Sequence, residues 1–124
     1  MIKLHHLNKS RSKRIIWLLE ELEVDYEIVA YQRNTETFLA PDELKNVHPL
    51  GKSPVIEDDG LVIAESGAIT DYLITKYGKG KFAPKAGTPD YVDYQQWLHF
   101  AESSAILPLY SKCLCKKMVL KPSF

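Results

Sequence analysis

His48-Pro49-Leu50-Gly51-Lys52-Ser53-Pro54-Val55-Ile56-Glu57-Asp58-Asp59-Gly60-Leu61-Val62-Ile63-Ala64-Glu65-Ser66-Gly67-Ala68-Ile69 is the stretch that decides the fold. Two apolar runs, Pro54–Glu57 and Leu61–Ala64, flank Asp58-Asp59-Gly60. An Asp-Gly pair between such runs signals a β-hairpin, because glycine tolerates the positive φ that a tight turn demands. Proline at the head of the first run is compatible with a strand start or an edge, where no N–H is needed. After the hairpin, Ser66 is expected to cap a helix with Ile69, Tyr72, Leu73 and Tyr77 on its apolar face. Gly78 stands where a glycine closing that helix belongs.

Upstream, Ile2–Leu7 reads as a strand. Asn8-Lys9-Ser10 is a turn, and Ser10 or Ser12 is able to cap the helix that follows. In that helix Ile15, Leu18, Leu19 and Leu22 recur at i, i+3, i+4 and i+7, one apolar stripe. Tyr26–Tyr31 is a second strand with β-branched character, and a short helix is expected around Pro41–Asn46. The order β-α-β-α-β-β-α makes this an α/β chain whose first two strands pair in parallel through a right-handed crossover. Downstream, residues 84–88 read as a linker. Thr88-Pro89-Asp90 is a helix start, with a capping hydroxyl, proline at the first position and an acid near the positive dipole end. Tyr94, Leu98, Ala101, Ala105 and Leu109 run down one face of this helix, while 111–124 shows no period. The expected division is therefore a βαβαββα domain at 1–83, a linker, and a partial all-α region at 89–124.

Sixteen basic residues balance sixteen acidic ones across 124 positions, so no bulk field favours nucleic acid or an anionic membrane. Lys9, Arg11, Lys13 and Arg14 are locally basic, as befits either a phosphate-attracting cluster or the wet side of a helix start. No apolar run reaches the ~18 residues of a membrane helix, and the first residues show no signal-peptide pattern. Cys113 and Cys115 cannot make a disulfide framework for the body of the chain. A cytoplasmic setting is expected. His5 and His6, as strand neighbours, face opposite ways and cannot share one metal ion.

The composite His48-Pro49-x-Gly51-Lys52-x-Pro54, Asp58-x-Gly60 and Glu65-Ser66-x-Ala68-Ile69 resembles the signature of the glutathione S-transferases. The likeness runs from residue 1 to about residue 110. It implies a thioredoxin-like domain that binds glutathione, with glutathione as co-substrate and no other cofactor. By that resemblance Ser53-Pro54 is a cis peptide, which turns the main chain of Ser53 outward to pair with the cysteinyl unit of glutathione. Glu65 and Ser66, at a helix start, are expected to receive the γ-glutamyl group: the helix N–H groups and the Ser66 hydroxyl take its carboxylate, Glu65 its ammonium. Ser66 as a simple cap fits too. Lys52 either neutralises the glycyl carboxylate or is merely solvated.

Aligned on the first strand and Arg14, Ser10 falls on the catalytic serine of theta/delta-like or fungal-type members. The glutathione thiol has a pKa near ~8.5, so only a few per cent is thiolate at pH 7. A serine hydroxyl donates to the sulfur anion, and the helix N-terminus adds positive potential. Ser12 and a hydroxyl-free backbone contact are the rivals for this role, and Ser10 as a simple helix cap fits too. No cysteine occupies positions 9–12, which argues against thiol–disulfide exchange by a protein cysteine and against the cysteine-type members. Where some theta relatives carry a glutathione-binding histidine this chain has Leu39, and no role is carried over to it.

Family members continue into a longer helical domain that walls the electrophile site, and 111–117 departs from their pattern. The expectation is a truncated helical region, with self-association, for instance as a homodimer, or poor solubility following from its uncovered apolar face. Three functions stay open on these grounds: conjugation of glutathione to small electrophiles or reduction of peroxides; a non-catalytic glutathione-binding or protein-interaction module; and an inactive truncated copy.

Overall fold

β1 (Ile2–Leu7) lies inside a four-stranded sheet of order β2-β1-β3-β4. The computed structural model describes residues 1–37 and 39–101. β2 (Tyr26–Tyr31) pairs with β1 in parallel from Ile2↔Tyr26 to Leu7↔Tyr31. The connection between them is α1 (Ser12–Glu21), as a parallel pair requires a crossover. β3 (Val55–Asp58) runs antiparallel to β1, and β4 (Leu61–Ala64) antiparallel to β3. Asp59 and Gly60 form the turn of this hairpin with φ of 49° and 82°, both in the left-handed region that the Asp-Gly signal anticipates. A 3-10 helix (Asp42–Asn46) precedes β3, and α2 (Ser66–Tyr77) follows β4.

Apolar periodicity accounts for the core. Ile2, Leu4, Ile15, Leu19, Ile56, Ile69 and Leu73 form one buried cluster, with Leu18, Leu22, Tyr72 and Tyr77 packed against it. Burial of each such aliphatic side chain contributes about 1.5–3 kcal/mol. Both helical stripes and the inner face of the sheet thus meet in one place. Behind the hairpin, Asp58 is only 2% exposed. Its carboxylate accepts from Tyr77 Oη at 2.7 Å, Tyr72 Oη at 2.8 Å and Lys76 Nζ at 2.9 Å, tying the hairpin to the end of α2.

Several local expectations are corrected. β3 begins at Val55, after Pro54. Neither serine sits at the cap position of α1: Arg11 does, without a side-chain cap, while Ser10 Oγ accepts from the N–H of Ser12, the first helical residue, at 3.3 Å. Ser66 likewise is the first residue of α2; its cap position belongs to Glu65 at φ 73°, ψ 119°. Gly78 has φ −76°, and the left-handed residues come later, at Lys79 and Gly80. Space is what requires glycine here, since a Cβ at Gly78 would stand 2.4 Å from the Ile74 carbonyl oxygen.

The chain divides into two compact units, Met1–Ala83 and Pro84–Phe124. In the second, α3 (Pro89–Phe100) opens as its sequence dictates, with the Thr88 hydroxyl accepting from Tyr91 N–H at 3.2 Å and Pro89 at the first position. Tyr94, Leu98 and Ala101 are half-buried. Ala105, Leu109, Cys113, Cys115 and the 111–124 tail lie outside the described residues. No helix among the described residues is long and apolar enough to cross a membrane.

Candidate functional site

The register brings three chain segments to one end of the sheet. β1 and β3 last pair at His5↔Val55, and β3 and β4 at Val55↔Ala64. Leu7 to Ser12, Lys52 to Pro54, and Glu65 to Ser66 are therefore the segments that leave the sheet together. Ser53-Pro54 is a cis peptide. The Ser53 hydroxyl donates to the His5 carbonyl at 2.8 Å and accepts from the Leu7 N–H at 3.1 Å, so it replaces the ladder beyond its last pair.

Leu7 is gripped from both sides. Its carbonyl accepts from Ser10 Oγ at 2.6 Å and, more distantly, from Ser12 Oγ at 3.3 Å. The two serine hydroxyls are 2.7 Å apart, and His6 Nδ1 lies 2.5 Å from Ser12 Oγ. Ser12 is fully buried and Ser10 half-buried. Burial, reinforced by the Lys13 ammonium, holds the His6 imidazole below its ordinary pKa range. His5, its neighbour, is engaged elsewhere: Nε2 donates to Glu57 at 2.6 Å, and Nδ1 lies 2.9 Å from Tyr31 Oη. The two histidines thus serve different partners. Among the described residues no group of three His, Cys, Asp or Glu side chains is placed to hold a metal ion.

Arg33, which the sequence reading passed over, secures the turn. Its backbone N–H donates to Asn8 Oδ1 at 2.8 Å, its Nε to the Asn8 carbonyl at 3.1 Å and its Nη2 to the Lys9 carbonyl at 3.2 Å. Lys9 itself is left-handed at φ 54°. Because β1 and β2 run parallel, a residue just past β2 must lie beside the turn just past β1, and that signal was available. Arg33→Ala is expected to cost about 1–2 kcal/mol and to speed amide hydrogen exchange at Asn8–Ser10.

A cleft of about 460 Å³ opens beside this turn, lined by Leu7, Arg33, Leu39, Asp42, Lys45, Lys52 and Ser53 among others. Arg33, Lys45 and Lys52 line it with a single carboxylate, Asp42, which pairs with Lys45 at 3.6 Å; the balance is positive and suits an anionic ligand. Gly51 permits its shape: at φ 60°, a Cβ would meet Lys45 Cγ at 2.7 Å. Of the residues singled out from sequence, Lys52 and Ser53 line the cleft. Ser10 is joined to it through Leu7. Pro54, Glu65 and Ser66 are not in its lining; they continue the same end of the sheet, with Glu65 exposed and Ser66 buried.

Residues 1–75 match the family model for the glutathione S-transferase N-terminal domain. This chain belongs to the glutathione S-transferase family. Glutathione S-transferase 3 of Schizosaccharomyces pombe is 45% identical over 104 residues, covering 84% of this chain and 42% of the relative. A glutathione S-transferase structure from Actinobacillus pleuropneumoniae superposes with a TM-score of 0.79 at 46% identity, over 90% of this chain and 54% of that one. A glutathione transferase homologue from Lodderomyces elongisporus, solved with two glutathione molecules per subunit, gives 0.70 at 31% identity, over 80% and 49%. The transferase-family chain spans about half the length of the curated relatives it matches. Its thioredoxin-like sheet and helices over residues 1–75 are those of the family's N-terminal domain.

Proposed function

We propose that this chain binds glutathione at the end of the sheet where β1, β3 and β4 meet, and that Ser10 stabilises the glutathione thiolate for attack on a small electrophilic carbon or a peroxide oxygen. The single observation carrying this reading is the double grip on Leu7: Ser53 on its amide and Ser10 on its carbonyl fix a strand edge and a hydroxyl at one point. Ser12, fully buried and already bonded to His6 and Ser10, is the poorer candidate to reach a ligand. The Ser53 main chain lies just beyond the paired ladder, where an extended peptide adds a strand. Lys52 supplies charge for a terminal carboxylate, and Glu65 and Ser66, at the start of α2, take the α-amino and α-carboxylate groups of the γ-glutamyl end. Assembly as a homodimer in the cytoplasm belongs to the same proposal.

Retention on immobilised glutathione, with elution by free glutathione, tests binding. Lys52→Ala is expected to raise the dissociation constant about fivefold. Turnover of a general aromatic halide tests transfer. A chain that is not retained refutes the proposal; retention without turnover assigns the same residues to binding alone.

A further inference from the structure

Proton counting along the turn assigns a role to His6. Three close contacts run in series: Ser10 Oγ to the Leu7 carbonyl at 2.6 Å, Ser10 Oγ to Ser12 Oγ at 2.7 Å, and Ser12 Oγ to His6 Nδ1 at 2.5 Å. Each contact needs one proton between its heavy atoms. The carbonyl has none to give, and each serine hydroxyl has one. Two hydroxyl protons cannot fill three contacts, and the longer approach of Ser12 Oγ to the Leu7 carbonyl at 3.3 Å can only share the Ser12 proton, not add one. The third must come from the imidazole. Its direction follows: His6 Nδ1–H donates to Ser12, Ser12 donates to Ser10, and Ser10 donates onward.

We propose that His6 carries its proton on Nδ1 and, through Ser12, keeps the Ser10 hydroxyl aimed outward as a donor; this positioning role rests on the thiolate-stabilising role of Ser10 proposed above. In the free protein the Ser10 hydroxyl donates to the Leu7 carbonyl, and a sulfur anion arriving beside Ser10 accepts that hydrogen bond in its place. Ser12 stays bonded to Ser10 Oγ and polarises that hydroxyl, because hydrogen bonds in series strengthen one another. With the opposite tautomer Ser12 would donate to His6, and Ser10 would turn inward to Ser12, away from any ligand. Burial of the ring and the nearby Lys13 ammonium favour the uncharged imidazole, which leaves Nε2 bare when Nδ1 is protonated.

Two measurements on the full chain test this. Long-range ¹⁵N–¹H spectra of the free protein are expected to show a protonated Nδ1 and a bare Nε2 at His6. The reverse tautomer overturns the proposal, whatever any variant does. The pKa of the bound glutathione thiol, followed by thiolate ultraviolet absorbance, is expected to rise by about half a unit to one unit in His6→Leu and in Ser12→Ala. The dissociation constant of glutathione should change less than about twofold in both, since neither side chain is assigned a ligand contact. His6→Asn, which returns an N–H near the Nδ1 position, should recover at least about half of the shift. A wild-type pKa in His6→Leu, or equal losses in Asn and Leu, overturns the positioning role while leaving Ser10 untouched. A wild-type complex whose thiol titrates like free glutathione instead overturns the function proposed for Ser10 itself.

Discussion

Asp58→Ala is expected to lower the stability of the Met1–Ala83 unit by about 3 kcal/mol, seen as a lower urea midpoint at unchanged slope. The carboxylate is buried and accepts three hydrogen bonds of 2.7–2.9 Å from Tyr72, Tyr77 and Lys76. Truncation removes the shared acceptor of the Tyr72 and Tyr77 hydroxyls between the hairpin and α2, while Lys76 keeps Asp59 at 3.2 Å. Asp58→Asn keeps the shape but loses the charge, and about 2 kcal/mol is expected. The same contacts make the unit acid-sensitive. Burial on its own would raise the Asp58 pKa; donation from Tyr77, Lys76 and Tyr72 outweighs it and holds the group below its ordinary range. The unfolded chain therefore binds this proton more readily than the folded one. The contribution is complete above about pH 4 and is lost as pH falls from there towards the depressed folded value. An Asp58→Ala chain with the wild-type midpoint would show that the bonds contribute nothing net.

Ser10→Ala should raise the pKa of glutathione's thiol in the complex by about one to two units, the worth of one charge-assisted hydrogen bond. At neutral pH this reduces the thiolate fraction, and with it any turnover, by up to about tenfold for each pKa unit. Binding should weaken by less than about threefold, because the peptide main chain and the carboxylates of the ligand are assigned to other residues. Spectrophotometric titration separates the two quantities. An unchanged thiol pKa in Ser10→Ala would eliminate the serine from the chemistry.

Much of the fold was legible because periodicity and turn chemistry agree. The spans Ile2–Leu7, Tyr26–Tyr31 and Leu61–Ala64 appear as read, and the stripe Ile15, Leu18, Leu19, Leu22 packs on the sheet. Errors fell at helix ends. Ser10 and Ser12 have capping chemistry, yet their hydroxyls are committed back across the strand end and turn, to the Leu7 carbonyl and to His6, which no helical or strand period displays. Glu65 takes the cap position of α2 with a positive φ, a conformation that propensity assigns to glycine and that typically costs about 1–3 kcal/mol in other residues. At the site, Lys52 and Ser53 were identifiable from the composite motif. Arg33 and Lys45 were not, since each is an ordinary surface cation until the parallel β1–β2 pair and the 3-10 helix bring it to the cleft. The His6–Ser12–Ser10 series was hidden for a related reason: its contacts, six and two residues apart, span a strand end and a turn, where neither period applies.

Leu7 gives its amide to one serine and its carbonyl to another, 46 residues apart in one case and three in the other. A turn anchored by main-chain bonds needs no guest to shape it. Capture of a tripeptide there should carry little entropic cost from ordering the protein, so that affinity reflects the contacts made rather than a rearrangement preceding them. Fast, single-step association kinetics are the signature of such pre-organisation.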